Sequence, residues 1–187
     1  MKVTALKNKK VRAGDDFFAI LDAGVKRFPN SSVLAVTSKI IALAEGSVGE
    51  AGSMSKDALI REEAEVYLPR RANKYDVTLA MRDGVLAPFA GIDESNADGH
   101  YVLWPRDPRA AANMIREYLT ARFKVRRAGV VVVDSKTTPL RWGTTGFGLA
   151  WSGFEALKSY IGKPDLFGRT MEMTKANVMD GLAAGMD

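Results

Sequence analysis

The chain reads as an α+β protein, a mixed sheet with flanking helices. Apolar runs of strand length alternate with segments of helical period along most of the sequence. A hairpin signal interrupts that alternation, so a mixed sheet is expected rather than a purely parallel one. Scale agrees: 187 residues, 47% apolar and 26% charged, suit one packed domain over 1–187 and argue against disorder.

The first helix follows Gly14, where Asp15 or Asp16 can cap it, and Phe17, Ile20, Leu21, Val25 and Phe28 recur at helical spacing. Pro29 and Asn30 stop it. Val33 to Val36 read as a short buried strand, with Thr37, Ser38 and Lys39 at its end, before a helix through Ala44. Such strand ends often hold ligands in α/β proteins, because the next helix presents free backbone N–H groups there. Residues 56 to 68 read as one polar helix ended by Pro69. A hairpin comes next, Val77 to Met81 and Val85 to Phe89 about an Asp83-Gly84 turn. Ala90 to Gly99 is rich in turn formers and is expected to be an exposed loop, after which Tyr101 to Trp104 returns as a strand.

Asp107 and Pro108 open a helix in the favoured cap-and-first-turn arrangement, burying Ala111, Ile115, Tyr118, Leu119 and Phe123. Gly129 to Val133 carries four consecutive valines and reads as a central strand covered on both faces. It ends abruptly in Asp134-Ser135-Lys136-Thr137-Thr138-Pro139. A strand near Phe147 to Trp151, a helix near Phe154 to Tyr160, a strand near Thr170 to Met173 and a last helix from Lys175 complete the expected order.

Composition excludes several chemistries. The absence of cysteine removes disulfides, thiolate metal sites, iron–sulfur clusters and a cysteine nucleophile. The N-terminus lacks a signal-peptide core, and no window approaches the roughly eighteen apolar residues of a spanning helix. A soluble, cytoplasmic protein with no membrane partner is therefore expected. The net charge of +5 favours anionic ligands. The basic group Arg122, Lys124, Arg126 and Arg127 closes a helix, where cations complement the dipole. No RNA-binding motif or zinc finger accompanies it, and no nucleic-acid partner is expected.

Familiar nucleotide loops are missing too. Gly162-Lys163 is followed by Pro164, which rules out a Walker-type loop, and Gly146-Phe147-Gly148 lacks the third glycine of a dinucleotide fingerprint. The single His100 has no second imidazole beside it. Two acidic turns remain. Asp93, Glu94, Ser95, Asn96 and Asp98 crowd between Gly91 and Gly99. Hard oxygen donors at such spacing suit Mg²⁺ or Mn²⁺ held with substrate phosphates, though a solvated turn reads the same way. Asp134-Ser135, at the end of the valine strand, must face water, pair or bind a cation, since an unpaired buried carboxylate is costly.

These segments resemble the coenzyme F-420-0:γ-glutamyl ligase family over most of the chain. Gly14-Asp15-Asp16, Val36-Thr37-Ser38-Lys39-Ile40 with Ala44-Glu45-Gly46, Ala90-Gly91-Ile92-Asp93-Glu94-Ser95-Asn96, Asp134-Ser135 with Pro139, Arg141 and Gly143, and Asp165-Leu166-Phe167-Gly168-Arg169 follow in the family's order. The resemblance implies a homodimer of γ-glutamyl ligase-like fold with its site near the subunit interface. It implies a GTP-dependent ligase that joins L-glutamate to a small carboxylate acceptor, deazaflavin-like or folate-like, through an acyl phosphate. By the same resemblance Asp93 and Asp134 are the catalytic residues and, with Ser135, bind Mg²⁺ or Mn²⁺, while Ser38, Lys39, Asn96 and Arg141 contact the nucleotide.

Departures accompany the match. Leu43 stands where the family usually has a second lysine, Asn8-Lys9-Lys10-Val11 replaces an I-P-E-type segment, and Lys136, Thr137, Thr138 and Leu140 alter the block after Asp134. The chain is also expected to lack the family's glutamine-containing tail. Asp-Ser-Lys-Thr-Thr-Pro-Leu-Arg-Trp-Gly is closer to a bacterial branch assigned to folate γ-glutamylation. A non-catalytic descendant that binds a nucleotide or phosphorylated metabolite is the alternative expectation.

Overall fold

The computed structural model describes residues 2–50 and 52–186. Its central sheet has the order β1-β7-β8, formed by β1 (Ser32–Thr37), β7 (Ala128–Thr137) and β8 (Thr144–Ser152). β1 runs parallel to β7 and β8 antiparallel to it, so the sheet is mixed, as expected. The four valines of β7 divide by parity, because successive strand side chains leave on opposite faces. Val130 and Val132 pack with Leu21, Val25, Ile115 and Leu119, which come from the segment 17–25, including α1 (Phe17–Gly24), and from α4 (Pro108–Phe123). Val131 and Val133 pack with Ala183 and Met179 of α5 (Val178–Ala184). Helices therefore cover both faces, and Val130, Val131 and Val132 are all 0% exposed.

Capping chemistry fixes the helix starts. Asp16 accepts hydrogen bonds from the backbone N–H of Phe18 and Ala19 at the head of α1, and Asp107 accepts one from Ala110 at the head of α4. Helix α1 stops at Gly24, earlier than its apolar period suggests, yet Val25 and Phe28 stay in the core.

A second group of elements packs beside this layer. Helix α2 (Ser38–Glu45) leaves the end of β1, β2 (Val48–Glu50) pairs with β6 (His100–Val102), and β3 (Val66–Leu68), β4 (Leu79–Arg82) and β5 (Val85–Pro88) form a meander. Asp83 and Gly84, at φ 50° and 71°, make the two-residue turn expected between β4 and β5. Helix α3 (Lys56–Glu63) closes the meander through Leu59 and Ile60, which pack with Ala80, Ala90 and Ile92.

Several expectations need correction. The valine strand does not end at Asp134: β7 runs on to Thr137, paired with β8 throughout, and the last helix starts at Val178 rather than Lys175. The segment 56–68 is not one helix: α3 ends at Glu63, and Val66–Leu68 pairs with β4 instead. Pro69 disfavours helical backbone at Leu68, and the free edge of β4 offers the segment another partner. The loop 90–99 is not wholly exposed, since Ala90, Ile92 and Ala97 are 0%, 3% and 2% exposed. No helix forms over 154–160; β9 (Leu157–Ser159) pairs there with β10 (Lys175–Asn177). No strand forms at 170–173, where Thr170 makes only an isolated bridge to Pro164. Among the described residues no helix is long and apolar enough to cross a membrane.

Candidate active site

Three chain segments meet at Asp134, in the C-terminal half of β7. Strand parity carries Asp134 out on the face of Val130 and Val132, just beyond a bulge where Val132 pairs with Ala150 but Val133 with Gly148. Helix α2 starts beside it: Ser38 is 3% exposed, and its hydroxyl lies against the Asp134 carboxylate. The loop after β5 brings Asp93, whose backbone exchanges hydrogen bonds with Val102 at 2.9 and 2.8 Å and is thereby fastened to β6.

Each carboxylate has its own partners. The Lys39 ammonium pairs with Asp93 Oδ2 and also donates to the Ser95 carbonyl and hydroxyl at 3.0 and 3.2 Å. Ser95 folds back, donating from its backbone N–H to Asp93 Oδ1 at 2.6 Å and from its hydroxyl to Oδ2 at 3.1 Å. Asp134 accepts from the backbone N–H of Ser135 at 2.8 Å and from the Trp104 indole Nε1–H. Trp104 is itself 2% exposed. The Arg82 guanidinium lies 5.1 Å from its ring centre and is held by Glu63 at 2.5 Å. Gly91, at φ 74°, lets the loop backbone approach Trp104 so closely that a Cβ there would run into the indole ring.

These environments push the two acids in opposite directions. Burial would raise Asp93, but Lys39 and the donors of Ser95 outweigh it and hold the carboxyl below its ordinary value. Burial raises Asp134 above its ordinary value; Ser135, Trp104 and Ser38 counter this in part, and the negative charge of Asp93 adds to the rise. Asp93 and Asp134 thus reach the start of α2 through consecutive residues, Lys39 and Ser38, within a single subunit.

Of the residues singled out in the sequence, Ser38, Lys39, Asp93, Asp134 and Ser135 thus come together. Ser135 touches Asp134 through its backbone N–H. Asn96, at φ 57°, and Arg141, in the exposed turn after β7, share no hydrogen bond or ion pair with either carboxylate among the described residues. Ser95, one of the oxygen donors read from its loop, joins the site through a local Asx turn with Asp93. Trp104 reads only as a core residue until its N–H is seen to need a partner.

The donors suit a hard divalent cation: two carboxylate groups, one of them buried and short of positive charge, with the serine hydroxyl of Ser38 alongside. No group of three or more His, Asp or Glu side chains forms a metal cage among the described residues. A cation here would complete its shell with hydroxyl, water or phosphate oxygens, as Mg²⁺ commonly does. Thr37 caps α2 without a side-chain bond, so the first N–H groups of that helix remain available to an anion beside the carboxylates. A cavity of about 130 Å³, lined by Ala35, Thr37, Val133, Asp134, Ser135 and Met186, opens beside β7 where Ala35, Val133 and Met186 pack on the α5 side of the sheet. It is smaller than the ~300–1,000 Å³ usual for ligand pockets.

Comparison with known proteins finds relatives over nearly the whole chain. The family described as "F420-0:Gamma-glutamyl ligase" matches residues 5–187. A "Coenzyme F420:L-glutamate ligase" of Archaeoglobus fulgidus is 30% identical over 190 residues, covering 93% of this chain and 75% of its own length. Proteins of the same description from Methanopyrus kandleri and Natronomonas pharaonis are each 31% identical, covering 96% and 94% of this chain and 77% and 74% of theirs. A match over nearly the whole chain, running through both acidic turns, places this protein in the F420-0:γ-glutamyl ligase family of glutamate-ligating enzymes.

Proposed function

We propose that the chain is a nucleotide- and divalent-metal-dependent ligase that joins L-glutamate to a carboxylate acceptor, deazaflavin-like or folate-like, with GTP as cosubstrate. The observation that carries this reading is that Asp93, paired with Lys39, and Asp134, beside Ser38, are both brought to the first residues of α2. A carboxylate is a poor electrophile. In the proposed reaction an acceptor carboxylate oxygen attacks the terminal phosphorus of the nucleotide, and the nucleoside diphosphate leaves. The glutamate amine then attacks the acyl carbon, releases phosphate and forms the amide. Bound Mg²⁺ or Mn²⁺ would neutralise the phosphate charge and align the transfer.

The chain's own residues position this chemistry. Asp93 and Asp134 would hold the cation, and the unfilled N–H groups at the start of α2 suit a phosphate oxygen. Lys39 lies on Asp93 and can add its charge to a phosphate placed beside that carboxylate. A homodimer belongs to the same reading. Leu140 and Trp142 are 104% and 93% exposed, and Leu166 and Phe167 98% and 96%, which leaves large apolar side chains on two loops for a second copy to cover. Light scattering in solution tests that part.

Incubating the protein with GTP, Mn²⁺, L-glutamate and candidate acceptors tests the reaction. Phosphate release should require both the acceptor and glutamate, and Asp93→Asn and Asp134→Asn should each abolish metal-dependent nucleotide binding while leaving the fold intact. Wild-type nucleotide binding in either variant would remove the site assignment.

One observation favours a second reading. Leu43 replaces a lysine of the family and is 4% exposed, packed with Ala42, Ala97 and Val102, so this position offers a nucleotide no charge. A non-catalytic binding protein would show nucleotide-dependent thermal stabilisation without turnover.

A further inference from the structure

A larger cavity lies away from the paired carboxylates. Its volume is about 370 Å³, within the ~300–1,000 Å³ range of ligand pockets. Its walls come from α3, β3 and the turn after Pro69, and Ile60, Arg61, Tyr67, Arg70, Arg71 and Thr78 line it. Arginine dominates this lining, and the three guanidinium groups do not share one role. Arg70 is fixed in place: Asp57 accepts from it at 2.9 and 3.0 Å, Asp76 lies 3.8 Å away, and its guanidinium sits 5.6 Å from the Phe89 ring centre. Arg70 and Asp57 thus neutralise each other and stiffen the wall.

Arg61 and Arg71 are different. Neither forms an ion pair among the described residues. They reach one cavity from separate elements, Arg61 from the last turn of α3 and Arg71 from the short 3₁₀ turn over Arg70–Ala72. Tyr67 and Thr78 line the same cavity, Thr78 at 4% exposure, and so does the Asp57 that pairs with Arg70. Two unpaired guanidinium forks, a polar threonine and an aromatic wall match an oxyanion attached to a larger group.

We infer that this pocket is a second anion-binding site, which grips a carboxylate or phosphoryl group through Arg61 and Arg71. The site does not depend on the chemistry at Asp93. That its occupant is one of the reaction's own anionic substrates rests on the ligase reading above. The pocket shares its scaffold with the candidate active site, since Ile60 packs in one cluster with Ile92, the neighbour of Asp93, and Lys56 of α3 pairs with Glu94 at 3.2 Å.

Calorimetric titration with pyrophosphate and, separately, with L-glutamate tests the inference on the full chain at low ionic strength, without nucleotide or metal. The expected result is saturable binding of at least one probe. It should weaken on the order of tenfold or more in Arg61→Ala/Arg71→Ala, as expected when a charge-assisted fork is lost. Binding should persist in Asp93→Asn/Asp134→Asn. Preference for pyrophosphate assigns a phosphoryl occupant, and preference for glutamate a carboxylate. If the alanine variant does not fold, Arg61→Gln/Arg71→Gln replaces it, keeping side-chain bulk without charge. No saturation with either probe, or undiminished binding in the arginine variant, overturns the site. Because nucleotide and metal are absent, failure of ligase turnover leaves this result untouched.

Discussion

Replacing Trp104 with Phe tests how the buried carboxylate is held. The substitution keeps an aromatic ring but removes the indole N–H that donates to Asp134. A hydrogen bond to a charged group contributes about 1.5–3 kcal/mol, and leaving its partner buried without it costs a similar amount. Stacking of Arg82 over the ring adds about 0.5–1 kcal/mol, part of which Phe retains. Trp104→Phe should therefore destabilise the protein by about 2–3 kcal/mol where Asp134 is ionised. A smaller ring also leaves space behind, so the single variant alone cannot isolate the bond. A double-mutant cycle with Asp134→Ala can, because the packing loss appears on both sides of the cycle. Urea unfolding of the four proteins should give a coupling of about 1.5–3 kcal/mol at neutral pH. Burial holds the Asp134 carboxyl above its ordinary value, and losing a donor to the charged form raises it further. The coupling should shrink as pH falls through that titration, since a neutral carboxyl is a weaker acceptor. Coupling below about 0.5 kcal/mol at neutral pH, within the additivity of independent sites, would show that the indole does not hold Asp134.

The remaining predictions follow from the same group of side chains. The folded pKa of Asp134 is raised, so its contribution to stability is full below the ordinary carboxylate range and is lost as pH rises through the folded value. Asp134→Asn should accordingly melt higher than wild type at neutral pH, with the gap closing in acid; thermal melts across pH read this directly. Asp93 has the opposite sign, stabilising above its unfolded value and losing that contribution as pH falls through the depressed folded one. Lys39→Met should remove much of this acid-side dependence and about 0.5–1 kcal/mol at neutral pH, a modest figure because both side chains are partly solvated. Gly91→Ala should cost about 1–3 kcal/mol from the collision with Trp104 and about 1–2 kcal/mol more from the positive φ, and chemical denaturation measures the sum.

The sequence disclosed elements whose signals are local or complete in themselves. Four valines in a row require cover on both faces, Asp107-Pro108 starts a helix by its own chemistry, and Asp83-Gly84 makes its turn from two positive φ values. Short strands were hidden because partners define them. Val66–Leu68 and Lys175–Asn177 are three residues each, too short for a two-residue period to register, and they exist through pairing with β4 and β9. The site divides in the same way. Two acidic turns can be seen as carboxylates beside glycines, but nothing local tells that Lys39 will sit on one and Trp104 on the other. Both contacts join residues far apart in the chain.

The parity of β7 decides what each residue at its end can do. Asp134 follows Val130 and Val132 and leaves toward Ser38 and Trp104. Ser135 follows Val131 and Val133, the face packed by α5, and its tie to Asp134 is the backbone N–H. The bulge one residue earlier, at the step from Val132 to Val133, changes the pairing of β8 without changing that alternation, because the extra residue, Leu149, lies on β8. Adjacent oxygen donors on a strand thus serve opposite faces. Ser38, delivered by the start of α2, shares a face with Asp134, and it is the better placed hydroxyl for any cation that bridges Asp93 and Asp134. A divalent charge there would offset the burial that raises Asp134, and the smaller repulsion from Asp93, so the same electrostatic cost that weakens the fold at neutral pH becomes affinity for a cation.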